Sequence, residues 1–469
     1  MRFINPLVIT CFFITSLTAC SSFSGSQLFT TYNQQIEPVR NALQQNDVLN
    51  ASALLPSVSS NNVSYTLNQL EKGRVSQLNQ NFTQSKHDFE IALSQIDSQN
   101  FAANIEVSKG LETTASFITN DNIREYQVPY YEQTMVHTLQ ALNFIALNDI
   151  EAALVEIRRA NLTQEQALKA NTSTLEKAVQ NANLDLNDLY NSYPSMDGII
   201  GNVKNGFQNA FTFYLSGFLY EAVGEYNSAY IDYKRAIEIF PDNIYLQNDV
   251  LRLAKYLAFN DEYRMFKQQF NRDSTHNNRS LSPVLIVFEQ GLAPQKVESR
   301  IDLPIFTSRD EMRFYSVAMP SYHDNYANHS PLLLEYDEAQ LNTQPIVRLS
   351  SLAAKDLKDR MPGIVARQIT RLIAKEEFRQ RAAKNGGDLG NIIATLYNLA
   401  SERADTRSWL TLADNYQIAK TYLPHGENTL NLVFNGVTHP ITFSTQAKQS
   451  VLIKVVSIGS TFNTSVYTI

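Results

Sequence analysis

A spacing of small and bulky residues between positions 210 and 243 limits the folds open to this chain more than any other feature. Gly217 and Ala229 would let two neighbouring helices approach closely, and Gly224 suits the left-handed turn between them. Pro241 ends the second helix because proline cannot donate the next backbone hydrogen bond. The remaining packing positions of the pattern are Phe213, Tyr220, Tyr233 and Ala236. The spacing therefore predicts an antiparallel helical hairpin.

The same pattern resembles the tetratricopeptide repeat (TPR), in which helical hairpins of about 34 residues stack side by side. Phe213 stands where that repeat places Trp, and Ser216 departs from its Leu. Weaker copies at 66–99 and 134–167 begin 68 residues apart, twice the repeat length. In the second copy Asn148 replaces the turn glycine, and asparagine tolerates the left-handed region. The alternative for each copy is a plain helical hairpin in an irregular bundle.

Two units follow from these patterns. Residues 28–275 are predicted to form an α-helical TPR-like solenoid, closed at its end by a further helical pair because an inner repeat leaves one apolar face open. A polar stretch at 273–282, rich in Asn and Ser, marks the boundary. Residues 276–469 are predicted to form a smaller α+β domain that ends in an antiparallel β-sheet.

Local patterns predict the elements of this second unit. Strands are expected at 284–288, 313–319, 332–336, 417–422, 430–434, 441–443, 450–458 and 461–469. The Asn-Gly pair at 435–436 is typical of a two-residue hairpin turn. Ser350 or Ser351 is expected to cap a helix that ends near Arg360, and Pro362 fits the first position of the next helix.

The first twenty residues carry an export signal. A mostly apolar run at 7–17 is too short to span a bilayer and suits the core of a signal peptide. It ends in Leu-Thr-Ala-Cys at 17–20, which resembles the bacterial lipobox. That resemblance implies a lipoprotein signal peptide at 1–19, acylation (palmitate) on Cys20 and a short tether at 20–27. The alternative is an ordinary secretory signal with a chance cysteine.

The expected location is the outer membrane, with the protein anchored by its N-terminal lipid and facing the periplasm. Ser21 and Ser22 follow the cysteine, at a place where aspartate tends to retain lipoproteins in the inner membrane. No later segment offers about eighteen consecutive apolar residues, so no further spanning helix is predicted.

Three stretches, at 209–225, 284–291 and 404–409, together with the lipobox, resemble an uncharacterised family of bacterial TPR lipoproteins. The resemblance covers most of the mature chain. It implies an accessory role in the cell envelope, and it brings no catalytic residue with it.

Composition and motifs disfavour several function classes. The formal net charge of −7 argues against nucleic-acid binding. No nucleotide-binding loop, serine-hydrolase elbow or zinc-protease motif is present, so we predict no enzyme and no cofactor. His323 and His329, with Asp324 between them, are a weak metal candidate. A solvated loop is the favoured interpretation of these residues, and no metal is predicted.

Two features are candidate contacts for a partner. A predicted helix in the second unit has a basic face with Arg367, Arg371 and Lys375, which is unusual in an acidic chain. Trp409 is the only tryptophan and follows an Asp-Thr-Arg stretch at 405–407. The alternatives are a solvated outer face for the arginines and a packing role for the tryptophan.

These observations predict a membrane-anchored cell-envelope lipoprotein that acts as a TPR protein-interaction scaffold in the assembly of an envelope complex, with a protein partner in a groove between its helices. Two alternatives stay open. One is a cell-wall (peptidoglycan-related) enzyme, which would need a cleft that brings His323 or His329 to a carboxylate. The other is an oligomeric secretion or pore accessory. The sequence does not predict the oligomeric state.

Overall fold

The computed structural model describes residues 31–109, 124–181, 193–274, 281–306, 312–324, 328–365, 367–368, 371 and 403–469. The predicted signal peptide at 1–19, the acylation site Cys20, the tether at 20–27 and Lys375 lie outside these residues. Within the described ranges, no helix is both long enough and apolar enough to span a membrane.

Helices fill the first half of the described chain and come mostly in antiparallel pairs. Their bounds are α1 Tyr32–Gln44, α2 Val48–Leu54, α3 Tyr65–Leu78, α4 Phe82–Lys109, α5 Tyr130–Ala146, α6 Ile150–Asn181, α7 Asp197–Ile200, α8 Ala210–Ala222, α9 Tyr226–Ile239, α10 Ile244–Tyr256 and α11 Asn260–Phe270. The described ranges thus hold the hairpins α1–α2, α3–α4, α5–α6, α8–α9 and α10–α11. The helical hairpins predicted at 66–99, 134–167 and 210–243 are confirmed, whereas a superhelical solenoid stays a prediction.

Each hairpin turns at one residue with a left-handed backbone. These residues are Asn46 (φ 61°), Gln80 (φ 58°), Asn148 (φ 60°), Gly224 (φ 83°) and Ala258 (φ 59°). In each hairpin the next residue donates its N–H to the carbonyl five positions earlier, as from Glu225 to Tyr220 at 2.8 Å. That bond closes the end of the first helix. The turn conformations predicted for Asn148 and Gly224 are therefore confirmed.

The predicted contact between a small and a bulky residue holds the helices of a hairpin together. A Cβ atom added to Gly217 would lie 2.6 Å from the Tyr233 ring. The equivalent glycine of α3, Gly73, lies against the Phe89 ring in the same way. Because each distance is shorter than van der Waals contact, only glycine lets the ring lie flat against the first helix. The other predicted packing residues are also buried, namely Phe213, Ala229 and Ala236. Pro241 follows directly after the end of α9.

The strands of the second half form three sheets. Their bounds are β1 Leu281–Gln290, β2 Val297–Phe306, β3 Met312–Ser321, β4 Leu333–Tyr336, β5 Ala339–Asn342, β6 Gln344–Arg348, β7 Asn415–Pro424, β8 Gly426–Phe434, β9 Val437–Thr445, β10 Val451–Ile458 and β11 Thr461–Thr468. The orders are β11-β10-β1-β7-β6, β2-β3 and β5-β4-β8-β9. Asn435 (φ 52°) and Gly436 (φ 78°) make the predicted turn between β8 and β9.

The largest sheet is mixed, which corrects one expectation. β1 and β10 are parallel, with Val284 opposite Val451 and Phe288 opposite Val455. The predicted antiparallel arrangement is right for β8–β9 and β10–β11, but it is wrong for the edge that β10 shares with β1. Every residue of β10 is buried, as are six consecutive residues of β1. Strands that are buried on both faces are typical of parallel pairing in the middle of a sheet.

A further helix, α12, covers 349–365 and begins at a different cap from the one predicted. The side-chain carboxylate of Asp414 accepts a hydrogen bond from the Ser350 N–H at 3.1 Å. The backbone carbonyl of Asp414 accepts one from the Leu349 N–H at 2.7 Å. The Ser351 hydroxyl instead donates to the Ile199 carbonyl at 2.6 Å. The prediction of a serine cap was therefore wrong, because a carboxylate that is distant in sequence satisfies these groups.

α12 also continues through Pro362, so the predicted break after Arg360 was wrong. Proline removes one N–H donor from a helix interior. Here the buried residues Met361 and Val365 on either side hold the helix against the core. Packing on both sides of the proline outweighs the loss of one hydrogen bond.

The helices and the sheets share a large hydrophobic core. A single cluster of buried residues includes Leu139 of α5, Phe218 of α8, Leu253 of α10, Ile286 of β1 and Ile453 of β10. The division into units 28–275 and 276–469 stays a prediction. In the described structure, the helices and the sheet bury their apolar faces against each other.

Candidate functional site

The inner side of the hairpins, defined by the first helices α1, α3, α5, α8 and α10, is occupied by the second half of the same chain. The Tyr245 hydroxyl on α10 donates to the Asn342 carbonyl at 2.7 Å. The Phe211 ring on α8 stacks on Tyr416 of β7 with a centroid distance of 4.8 Å. The protein's own strands therefore cover the helix faces that a partner would otherwise contact.

Lys420 of β7 enters a cluster of four charges between α8 and α10. Its Nζ lies 2.8 Å from Asp249 and 3.1 Å from Glu221. Arg252 completes the cluster, 2.7 Å from each of the same two carboxylates. Burial opposes ionisation of Glu221, yet Arg252 and Lys420 lower its pKa to about 2. The two cations and two carboxylates balance each other, as buried ions must.

A second charge cluster joins α3 to the centre of the large sheet. The Arg74 guanidinium forms an ion pair with Glu289 of β1, and both side chains are 0% exposed. Lys454 of β10 lies 3.4 Å from the same carboxylate. Burial disfavours the charged form of Glu289, but Arg74 and Lys454 hold its pKa below the ordinary value. The pKa of Lys454 is lowered by burial to about 8.

Two buried glutamates of the first helices bind the backbone that precedes β7. Glu71 of α3 accepts hydrogen bonds from the N–H groups of Leu410 at 2.8 Å and Thr411 at 3.1 Å. Glu132 of α5 accepts one from the Trp409 N–H at 3.0 Å. Burial raises the pKa of Glu71 to about 7, although these donors favour its carboxylate. The strand that carries Lys420 is therefore fixed to the helices at its start as well.

Several predicted site residues lie inside the molecule. Tyr220 is 8% exposed and Tyr233 is 0% exposed, so they pack the hairpin and do not line an open groove. Trp409 is 1% exposed, and its ring packs edge-on against Phe89 with a centroid distance of 5.7 Å. Arg371 is 2% exposed. Burial of the last two side chains contradicts their predicted contact with a partner.

On the outer side of the hairpins, an open groove lies between α4, α5 and α6. Its volume is about 590 Å³. Leu93, Phe144 and Val155 supply apolar surface in its lining, and Val155 is 41% exposed. The acidic residues Glu90 and Asp97 of α4 also line it. We call this space the outer groove.

A second space, of about 440 Å³, lies between the start of α5, the residue before β2, the end of β3 and α12, and we call it the charged cavity. Its lining contains the apolar side chains Phe207, Leu357 and Ile364. The charged residues of its lining include Lys296, Asp356, Arg360, Arg367, Asp405 and Arg407. The predicted partner residue Arg367 thus belongs to this cavity. Within the described ranges, no group of three or more His, Cys, Asp or Glu side chains is placed to hold a metal ion.

Lys296, which directly precedes β2, is an unusual member of this lining. The residue is 6% exposed, and its Nζ donates a hydrogen bond to the Arg407 carbonyl at 2.8 Å. Among the residues that the structure describes, no carboxylate lies within 4.0 Å of that nitrogen. Burial and the Arg360 guanidinium lower the pKa of Lys296. A buried ammonium group normally has a carboxylate partner, so this one is left to be satisfied by something else.

The two candidate histidines have different surroundings. His323 is exposed. His329 Nε2 lies 2.8 Å from Asp414 Oδ2, and Arg348 lies 3.6 Å from the same oxygen. Burial would raise the pKa of Asp414, but His329 and Ser350 keep it below its ordinary value. One condition of the enzyme alternative, a histidine beside a carboxylate, is met, although that carboxylate also holds the start of α12.

Sequence reasoning missed the lysines that the structure makes important. Lys420 and Lys454 each stand among mostly apolar residues, at 416–423 and 451–458. That pattern was available as a signal, because a lysine at a buried strand position requires a partner of opposite charge. Lys296 had no comparable signal, since it lies outside any strand and the strand that follows it was not predicted.

Comparison with known proteins does not identify a family. No family model matches the chain, and no curated protein matches it. The crystal structure of MamA is 10% identical, covers 51% of this chain and 93% of its own, and has a TM-score of 0.28. The structure described as the TPR2AB domain:pHSP90 complex of yeast Sti1 is 10% identical, covers 53% of this chain and 93% of its own, and has a TM-score of 0.18. These scores are too low to establish a shared fold, so the hairpins are described from their own geometry.

Proposed function

We propose that this protein is a lipid-anchored scaffold of a bacterial cell envelope that binds a protein partner in the outer groove. The observation that carries the proposal is the open apolar and acidic surface between α4, α5 and α6, on helices whose inner side is already filled. Grooves between packed helices commonly accept an amphipathic helix of another protein. Attachment to the membrane through Cys20 remains a proposal that rests on the lipobox resemblance.

The charge of the outer groove indicates the chemistry of the partner. Glu90 and Asp97 are seven positions apart and therefore lie on one face of α4. Glu156 also lines the groove, but it already contacts His137 at 2.7 Å and Arg159 at 2.9 Å. Glu90 lies 3.8 Å from Lys86, but that pair is exposed and weak, so Glu90 and Asp97 still offer negative charge to a partner. The partner that fits is a helix with an apolar stripe flanked by Lys or Arg.

A photo-crosslinking amino acid at position 155 of the full chain, expressed in its native membranes, tests this proposal. Ile231 of α9 is the matched control position, because it is 52% exposed on another second helix away from the groove. We expect a discrete adduct from position 155 and none from position 231. The adduct should be lost when Glu90 and Asp97 are both changed to Lys. Equal labelling at both positions, or an adduct that survives charge reversal, contradicts docking in the groove.

The membrane anchor needs a separate measurement. Mass spectrometry of the native protein should find an N-terminal Cys20 that carries a diacylglycerol. Changing Cys20 to Ser should release the protein from the membrane fraction without changing its far-ultraviolet circular dichroism. An unmodified first residue, or a variant that stays with the membrane, contradicts the anchor while leaving the groove proposal to its own test.

One observation favours a second candidate function, a cell-wall enzyme. His329 lies beside Asp414 as a general base lies beside the group that orients it. The Ser350 hydroxyl is buried, and the described structure gives it no hydrogen-bond partner. No contact joins it to His329 within the described ranges, so a nucleophile is not assembled. Hydrolysis of purified peptidoglycan by the full chain, abolished by His329→Gln, supports this candidate, and an inactive wild-type protein ends it.

A further inference from the structure

We propose that the charged cavity binds a small organic monoanion, a carboxylate with an aromatic or other apolar body, and that Lys296 is its charge anchor. This site is separate from the outer groove and does not depend on the scaffold proposal. No residue of the cavity was predicted to bind a small molecule.

The charged residues of the cavity lining indicate that the ligand carries a single negative charge. Asp405 pairs with Arg407 at 2.8 Å, and Asp356 pairs with Arg360. Each of these carboxylates is therefore balanced by an arginine of the same lining. In the described structure the Lys296 ammonium group donates a hydrogen bond to the Arg407 carbonyl and has no carboxylate within 4.0 Å. Among the buried charged side chains that the structure describes in this lining, Lys296 is thus the cation without a contacting carboxylate, and a monoanion would neutralise it.

The shape and the apolar residues of the cavity support a ligand with an apolar body. A volume of about 440 Å³ suits a small organic molecule. Phe207 is 6% exposed, Leu357 1% and Ile364 9%, so their side chains face protein atoms and the cavity more than bulk water. The Tyr126 ring also lines the cavity. An inorganic anion would leave these apolar surfaces unused.

The groups around Lys296 determine how binding should depend on pH. Arg360 and burial lower its pKa, whereas the more distant carboxylates of Asp405, Glu132 and Asp356 raise it. The net shift is downward, so the free protein loses this charge at a lower pH than an exposed lysine would. A bound carboxylate favours the ammonium form and should raise the pKa again. Affinity for the anion should therefore fall as the pH rises through the pKa of Lys296, which lies below that of an exposed lysine.

Calorimetric titration of the full chain with three probes tests the proposal. Benzoate should bind, while benzamide, its uncharged isostere, should bind about tenfold more weakly or not at all. Inorganic phosphate should bind more weakly than benzoate, because it lacks an apolar body. Absence of benzoate binding, equal binding of benzoate and benzamide, or tighter binding of phosphate overturns the proposal.

Two further experiments test whether Lys296 is the residue that binds benzoate. Lys296→Met should lower the affinity for benzoate about tenfold or more, whereas Lys358→Met, on the exposed surface of α12, should leave it unchanged. Reductive methylation of the wild-type protein, followed by peptide mapping, gives the same answer if Lys296→Met fails to fold. Benzoate but not benzamide should then slow methylation of Lys296, with Lys358 as the internal control. Equal affinities in both variants, or methylation of Lys296 that benzoate does not slow, contradicts the assignment.

Discussion

The charged residues on the inner and outer sides of the helical hairpins differ in how deeply they are buried. On the inner side, Arg74 and Lys420 are buried in ion pairs with Glu289 and Asp249. On the outer side, a pair such as Arg264–Asp261 is largely exposed to solvent. A buried ion that loses its partner is strongly destabilising, whereas an exposed pair contributes little. The comparison shows that the inner charges fix the sheet to the helices, and the proposed docking surface lies on the outer side.

Breaking the inner contact should have the largest effect. Arg74→Met leaves the Glu289 carboxylate buried with Lys454 as its remaining charged contact, 3.4 Å away. We expect the free energy of unfolding to fall by about 3–5 kcal/mol, as measured by urea denaturation. The matched outer variant, Arg264→Met, should lose less than about 1 kcal/mol. Similar losses for the two variants would remove the distinction between the two sides.

The pH dependence of stability sharpens the same comparison through Glu71. Its pKa is about 7 in the folded protein, against about 4.3 for an unperturbed glutamate. Between these values the folded state binds one proton more than the unfolded state, so its stability is lost as the pH rises. The contribution is about 3 kcal/mol, present below about pH 4.3 and gone above about pH 7.

Urea denaturation at several pH values across this window measures the effect. The free energy of unfolding of the Glu71→Gln variant should fall less steeply with pH than that of the wild-type protein. Glu90→Gln, a change of the same kind on the outer side, should follow the wild-type slope. Parallel profiles for wild type and Glu71→Gln would show that the buried carboxyl does not titrate in this range.

The packing between the two helices of a hairpin should be sensitive to a single methyl group. Gly217→Ala places a Cβ atom 2.6 Å from the Tyr233 ring, so the helices must shift apart. We expect a loss of about 1–3 kcal/mol in the free energy of unfolding, measured by thermal or urea denaturation. Gly224→Asn is the control in the same hairpin, because Asn148 takes the same backbone conformation in the α5–α6 turn. A control that is as destabilised as Gly217→Ala would point to a general intolerance of this hairpin.

The smallest effect on stability is expected on the outer side. Val155→Ser changes a side chain that is 41% exposed, so the free energy of unfolding should change by less than about 0.5 kcal/mol. Crosslinking from the exposed groove residue Ser94 should nevertheless decrease, because the apolar surface of the groove is reduced. A variant that loses stability like Arg74→Met would mean that Val155 belongs to the core and not to a docking surface.

The sequence predicted best those features that depend on neighbouring residues. The turns at Asn148 and Gly224 follow from backbone preferences within a few positions, and so does the hairpin turn at 435–436. The contact of Gly217 with Tyr233 follows from helical spacing. By contrast, the serine cap predicted for α12 failed because Asp414, more than sixty positions away, satisfies the helix start.

Features that depend on contacts between distant residues could not be predicted from the local sequence. Strand β2 was missed although Ile301, Leu303 and Ile305 alternate there, because Pro304 within the run argues against a strand. The site residue Lys296, which directly precedes β2, was missed with it. The parallel pairing of β1 with β10 joins segments about 170 residues apart, as Val284 and Val451 show. The filling of the inner side depends on this pairing, so the predicted groove at Tyr220 and Tyr233 could not be corrected from the sequence.

A double-mutant cycle of Arg74→Met and Glu289→Gln, with the free energy of unfolding of the full chain as readout, tests directly whether α3 and the sheet dock on each other through buried charges. The two positions lie 215 residues apart in sequence and in different predicted units. The structure predicts a coupling energy of about 2 kcal/mol or more between them. Additive effects within about 0.5 kcal/mol would show that the two side chains do not meet, and would contradict a closed inner side.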